Sequence, residues 1–236
     1  MSAIVFDKTG EHFFETGVKK CVLYPKNKTV SNALTYDKGV AWNGITSISE
    51  NPSGAEATAL YADDIKYLNL VSNEEFGASI EAYTYPDEFG ECDGSASVTG
   101  IGLTITQQKR TQFGLCYRTT IGNDETMEKG YKLHIVYNCT AAPSEKSYQT
   151  INDSPEAITF SWEISTTPEN IGTVNGVEYK PTAHLEIDST KATAAGLAAL
   201  EAALYGVDAS TGVEAADPYL PTPAQVISLL QTVANG

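Results

Sequence analysis

The sequence predicts an all-β protein: a β-sandwich or barrel-like fold of short strands, with one short flanking helix and a helical C-terminal segment. Apolar residues recur at a period of two in several stretches, and turn residues separate those stretches. No alternation of strands with helices of the kind that builds parallel sheets is present. With 236 residues, 42% of them aliphatic, aromatic or cysteine, the chain has enough apolar surface for one large core with an appendage. The division expected is a β-sandwich domain over 1–190 and a helical extension over 191–236.

Taken in order, residues 40–50 and 55–70 read as the arms of one long hairpin. Asn51, Pro52, Ser53 and Gly54 form its turn, because Pro presets φ and Gly fits the exit. The stretches 78–85, 98–106 and 113–121 follow as strands, and Pro86 to Gly90 starts a short helix with acids near its N-terminus. In 131–139, Tyr131, Leu133, Ile135, Tyr137 and Cys139 fall together on one face. In 157–166, Ile158, Phe160, Trp162 and Ile164 alternate with Thr159, Ser161, Glu163 and Ser165, the pattern of a half-buried strand. Asn175-Gly176 is a second turn signal, ahead of a strand region in 177–188.

The last 46 residues change character. The alanine-rich run 191–206 favours helix, with Leu197, Leu200 and Leu204 on one face and Gly206 as its stop. In 222–236, Thr222 is the N-cap, Pro223 takes the first helical position and Gln225 completes a capping box. Val226, Leu229, Leu230 and Val233 then form a stripe that must be buried on the sandwich or on a neighbouring subunit.

Charge bounds the function. Fifteen Lys and Arg face thirty Asp and Glu, a net charge of -15, which argues against a basic groove that grips nucleic acid by its phosphates. The excess is concentrated in residues 49–93, where eleven acidic side chains accompany the single basic Lys66. Such a segment is either a solvated face or a surface that repels polyanions. The first residues lack the pattern of a signal peptide, and no apolar run is long enough to span a bilayer, so a soluble protein made in the cytoplasm is expected.

Chemistry is harder to find. Cys21, Cys92, Cys116 and Cys139 are dispersed without CxxC spacing and read as buried free thiols, with two disulfides as the alternative a secreted protein would favour. The sequons at Asn27, Asn138 and Asn152 carry weight only in a secreted protein. His12, His134 and His184 are isolated in sequence; the last two sit in strands, facing away from the apolar stripe, and read as surface or interface side chains. Asp63-Asp64 and Glu74-Glu75 are adjacent pairs, whose members point to opposite faces in a strand. No phosphate loop, dinucleotide fingerprint, EF-hand or hydrolase motif is present. No catalytic residue, metal or cofactor is expected.

The run 42–94, WNGITSISENPSGAEATALYADDIKYLNLVSNEEFGASIEAYTYPDEFGECDG, resembles the major tail protein (tail-tube) family of long, non-contractile-tailed phages and prophages of Gram-positive bacteria. The resemblance extends to about residue 190, and the ending with 219-YLPTPAQVISLL is also similar to that family. It implies a structural, non-enzymatic subunit of the virion tail, closing in sixes into rings that stack as a tube. The partners it implies are further copies of the chain, a tape-measure protein, a tail terminator and baseplate or tip proteins. Double-stranded DNA would pass through without specific binding, and no membrane is involved. On that expectation Asp63, Asp64, Glu74 and Glu75 are candidates for lining the lumen, and Asn51 to Gly54 for ring-to-ring contact, with the N-terminal 1–18 and the loop 166–178 as further contact segments. The competing reading is a carbohydrate- or surface-binding sandwich, for which 13 tyrosines, Trp42 and Trp162 could supply an aromatic platform.

Overall fold

The computed structural model describes residues 4, 6–26, 35–151, 153, 156–210 and 214–231. The sequon at Asn27 to Thr29, Asn152 and Ser154 of another, and Val233 lie outside them. In chain order the elements begin with β1 (Phe14–Pro25), β2 (Val40–Ala41), β3 (Ile45–Glu50), β4 (Ser53–Gly54), β5 (Ala57–Ala62), β6 (Ile65–Val71), β7 (Glu74–Glu75) and β8 (Gly77–Ala82). They continue with α1 (Phe89–Cys92), β9 (Ala96–Val98), β10 (Leu103–Ile105), β11 (Phe113–Gly122), β12 (Gly130–Ala141) and β13 (Phe160–Ser165). The last are β14 (Thr173–Val174), β15 (Val177–Glu178), β16 (His184–Asp188), α2 (Ala194–Tyr205) and α3 (Pro223–Leu230).

The protein is mostly β, as the alternation predicts. One antiparallel array runs β2-β1-β11-β12-β13-β8-β3, with β16 also paired to β12. It works as two layers because β12 changes partners along its length. Its first half pairs β16 from Lys132 to Val136, and its end pairs β13 through Thr140 and Ala141. Between these halves lies a bulge, where the register against β11 slips from Leu115↔Val136 to Phe113↔Cys139 and Asn138 takes φ 46. The extra residue reverses the facing of the remainder of the strand. Cys139 therefore lies in the core between the sheets, while Leu133, Ile135 and Tyr137 face the helices. That corrects the expectation that Cys139 shares their face.

The core between the sheets is aromatic. Trp42 and Trp162 are 2% and 0% exposed, and Phe89 of α1 stands 4.4 Å from the Trp42 ring and 5.0 Å from that of Trp162. Ile80, Phe113, Leu115 and Val136 complete the surroundings. Burying each large side chain contributes about 2–3 kcal/mol, so this cluster is the principal glue between the layers. All four cysteines are buried, and none is in a disulfide. The short helix forms three residues later than Pro86, where Phe89 and Cys92 can face inward.

The other face of the first sheet is covered by α2 and α3. Leu197, Leu200, Leu204 and Val226 meet Tyr24, Leu133, Ile135 and Tyr137, so the predicted stripes are buried on the chain's own sheet. The caps form as the sequence specifies. Thr193 accepts a hydrogen bond from the Gly196 amide, Thr222 and Gln225 make the reciprocal capping box, and Gly206 ends α2 with φ 77. The Tyr24 hydroxyl donates to the Leu204 carbonyl at 2.6 Å and the Tyr137 hydroxyl to that of Pro221 at 2.9 Å, tying sheet to helices. Among the described residues no helix is long and apolar enough to cross a membrane.

Three local expectations are corrected. The stretch 98–106 is the reversal between β9 and β10 and only then a strand, because Gly100 and Gly102 take positive φ. The turn expected at Asn51 to Gly54 is absent; the chain runs on as β4, paired with β7. The stretch 55–70 is not one arm but both arms of a hairpin, β5 and β6, reversing at Asp63-Asp64. The turn at Asn175-Gly176 does form, between β14 and β15.

Candidate functional site

Among the described residues, the hairpin 51–76 is a long feature outside the packed body. Its ladder continues that of β3 and β8, in which Glu50 pairs with Ala78. The Asn51 amide donates to the Gly77 carbonyl at 2.7 Å, and Ser53↔Glu75 and Gly54↔Glu74 follow. Gly54 is required here, since it has φ 84 and a Cβ would come within 2.2 Å of the Asn73 carbonyl oxygen. From Asn51 to Asp63 the arm reaches at most about 40 Å at the usual rise per strand residue.

Directly paired residues share a face of the hairpin. One face of β5 and β6 therefore carries Thr58, Leu60, Ala62, Ile65, Leu68 and Leu70. The other carries Ala57, Ala59, Tyr61, Lys66, Asn69 and Val71, and Tyr67 is the extra residue of a bulge between Leu60 and Tyr61. Among the described residues neither face is covered: Tyr61, Ile65 and Leu70 are 72%, 65% and 56% exposed. A two-stranded ribbon alone in water is marginal, and this one carries an exposed apolar patch and two free edges.

The sequence-predicted residues fall on this hairpin but not as expected. Asp63 and Asp64 are not in strands; they form the turn at its tip. Glu74 and Glu75 lie near its root, exposed, opposite Gly54 and Ser53. Asn51, Pro52, Ser53 and Gly54 are in the opposite arm of the root, about ten residues from the tip.

At the root the structure assembles a cluster that linear spacing conceals. Glu50, the last residue of β3, shares the inward face with Ala78 and points into the space between the sheets. There the Tyr117 hydroxyl donates to Glu50 Oε1 at 2.8 Å. His134 Nδ1 stands 3.5 Å from Glu50 Oε1, and His184 Nε2 stands 3.9 Å from the same oxygen. The two imidazoles face each other, Nδ1 of His134 to Nε2 of His184, at 3.2 Å. His134 Nε2 is 3.2 Å from the Thr119 hydroxyl, its ring stacks on Tyr117 at 4.6 Å, and Phe76 stacks on His184 at 4.5 Å.

His134 is 4% exposed, which corrects the surface half of its reading as a surface or interface side chain, and the two histidines, isolated in sequence, are partners in the fold. Burial holds both pKa values below the usual histidine range, with the neighbouring His184 adding to the effect on His134 and Glu50 opposing it on both. Both rings are neutral at pH 7. A cleft of about 890 Å³ lies beside them, lined by Phe76, Thr182, His184, Lys180 and Glu74 among others. The signal in the sequence was a histidine on the polar face of each of two strands; that those faces adjoin depends on the pairing of β12 with β16.

The outward face of the second sheet is different again. Ser47, Ser49, Ser79, Glu81, Ser161, Glu163 and Ser165 line it, with no Lys or Arg among the paired positions. The buried tryptophans remove themselves from any carbohydrate-binding platform. The chain matches no family model and no curated protein.

Proposed function

We propose that the chain is a structural subunit that self-assembles, through stacked rings, into a phage tail tube whose lumen conducts DNA without binding it. The observation that carries the reading is the hairpin 51–76, projecting with both faces uncovered and one of them aliphatic. A segment of this kind is stable when a neighbouring copy covers it, and its reach suits contact between successive rings. The ring of six follows from the family resemblance.

Two further features support it. Among the described residues, β3 and β16 each pair on one side alone, so side-by-side copies can continue the sheets and satisfy the free edges. The Ser/Glu face of the second sheet suits a lumen wall, because small polar groups with Glu81 and Glu163, and no cations, give passing phosphates nothing to bind. Asp63 and Asp64, at the hairpin tip, and Glu74 and Glu75, at its root, then border the contact between rings more than the bore.

The test is negative-stain microscopy of concentrated protein beside a variant in which residues 57–71 are replaced by a short Gly-Ser linker. Tubes from the native chain, with monomers or unstacked rings from the variant, support the proposal. A native chain that stays monomeric and binds glycans overturns it, and a tube map with Glu81 and Glu163 on the outer wall removes the lumen assignment.

A further inference from the structure

We infer that Glu50, His134 and His184 form a binding site for one divalent transition-metal ion of the zinc type, placed where the projecting hairpin leaves the body. This does not depend on the tube reading. The three ligand atoms, Glu50 Oε1, His134 Nδ1 and His184 Nε2, make a triangle with sides of 3.2, 3.5 and 3.9 Å. Ligands about 2.0–2.1 Å from zinc in tetrahedral geometry stand roughly 3.3 Å apart. The triangle is slightly wider, with its in-plane centre about 2.1 Å from each atom, so it must contract by a few tenths of an ångström to take an ion tetrahedrally. Two imidazole nitrogens and one carboxylate oxygen are a donor set that zinc takes readily, and a hard cation such as calcium does not.

The surroundings fix the tautomer and restrain the ligands. The two imidazoles are coplanar to 3° with centroids 5.4 Å apart and aim their nitrogens at each other, so binding requires both rings to tilt toward the ion. With His134 Nε2–H donating to the Thr119 hydroxyl, the lone pair of that ring is left on Nδ1, toward the triangle. Tyr117 donates to the Glu50 carboxylate, and rings on either side hold both imidazoles in plane. Without metal, His184 Nε2–H donates to His134 Nδ1; on binding, His184 moves its proton to Nδ1 and presents Nε2 to the ion, with no net proton released. His134 is buried, while His184 borders the cleft and Glu50 is partly exposed, which gives an entry path and leaves a fourth position to water. The ion would join β3 of one sheet to β12 and β16 of the other, next to Asn51 and Phe76, and so stiffen the hairpin at its base.

The experiment is zinc titration of the chelator-treated full chain by calorimetry, with Glu50→Gln, His184→Gln and His12→Gln compared, and near-ultraviolet circular dichroism to verify folding. His12 is the control, since it sits in a separate exposed group with Asp7 and Asp124. One zinc per native chain is expected, with affinity reduced at least tenfold in Glu50→Gln and His184→Gln and unchanged in His12→Gln. Hydrogen exchange of the Asn51 amide should slow with zinc. Should the variants misfold, imidazole ¹⁵N spectra of the native chain decide: zinc must shift Nδ1 of His134 and Nε2 of His184 together. Absence of stoichiometric uptake at micromolar zinc, loss of binding in His12→Gln alone, or imidazole spectra unmoved by zinc would leave the cluster as a hydrogen-bonded network and overturn the inference.

Discussion

Asp63 and Asp64 both hold left-handed backbone, with φ 52 and 61, and Ala62 pairs with Ile65 on either side of them. They are the two central residues of a type I′ hairpin turn, whose twist matches that of the strands it joins. Aspartate tolerates this conformation better than most residues and glycine best. Replacing Asp64 with Gly should therefore tighten the hairpin, while Asp64→Pro, which locks φ near -65°, should open it. Because β5 and β6 place no residue in either core cluster, both variants should melt close to the native chain. Hydrogen exchange across β5 and β6 is the measurement, and on the proposed tube reading assembly should fail in Asp64→Pro alone.

The aliphatic face of that hairpin should matter more than the other. On the proposed stacking, Leu60→Glu or Leu68→Glu places a charge in the contact, at a cost of several kcal/mol per contact if desolvated. Stacking into tubes should be lost with the melting temperature unchanged. Ala59→Glu, on the opposite face, should have the weaker effect. Equal effects from the two faces, read by microscopy, would argue against a one-sided contact.

The two tryptophans offer a contrast in the core. Trp42 Nε1 donates to the Thr84 carbonyl at 2.9 Å, whereas the buried Trp162 Nε1 finds no partner among the described residues. Trp42→Phe and Trp162→Phe remove similar volumes, but only the first breaks a hydrogen bond, worth about 1 kcal/mol. Denaturant unfolding should show Trp42→Phe the less stable of the two by roughly that amount.

Alkaline pH should unfold the protein through its buried acids. Burial pushes the Cys116 thiol up to about 12, and it raises Cys21, Tyr24 and Tyr137 as well. A raised folded-state pKa leaves stability complete below the unfolded value and drains it as the pH climbs past that value, because the unfolded chain ionises first. Stability should decline from about pH 9 toward 12, Cys116 alone contributing on the order of a few kcal/mol. Fluorescence-monitored unfolding across that range reads the slope. The four thiols should stay unreactive toward an aqueous disulfide reagent at pH 8 until the protein is unfolded.

Much of this architecture was legible in the order of residues. Thr222 with Gln225, Gly206 and Asn175-Gly176 specify caps and a turn whose partners are within a few residues, so local chemistry was sufficient for them. Trp162 and Ile164 were legible as core because a strand's alternation is local too. The reversal at Asp63-Asp64 was hidden because Asn51 to Gly54 has the stronger turn composition, and only pairing with Glu74, Glu75 and Gly77, more than twenty positions away for most of it, keeps that segment extended.

The sequence alone was enough to point to a β-rich sandwich or barrel with capped C-terminal helices and an acidic middle segment, because periodicity, capping and composition act over a few residues, while it left disulfides open. Tertiary structure decided which face Cys139 takes, that Trp42 is core, and that Glu50, His134 and His184 meet. Each of those depends on register between strands far apart in the chain, where one bulge or one choice of partner moves a side chain to the opposite face. The hairpin belongs to both levels: its residues announce strands and acids, and only the fold leaves them uncovered, projecting from the body.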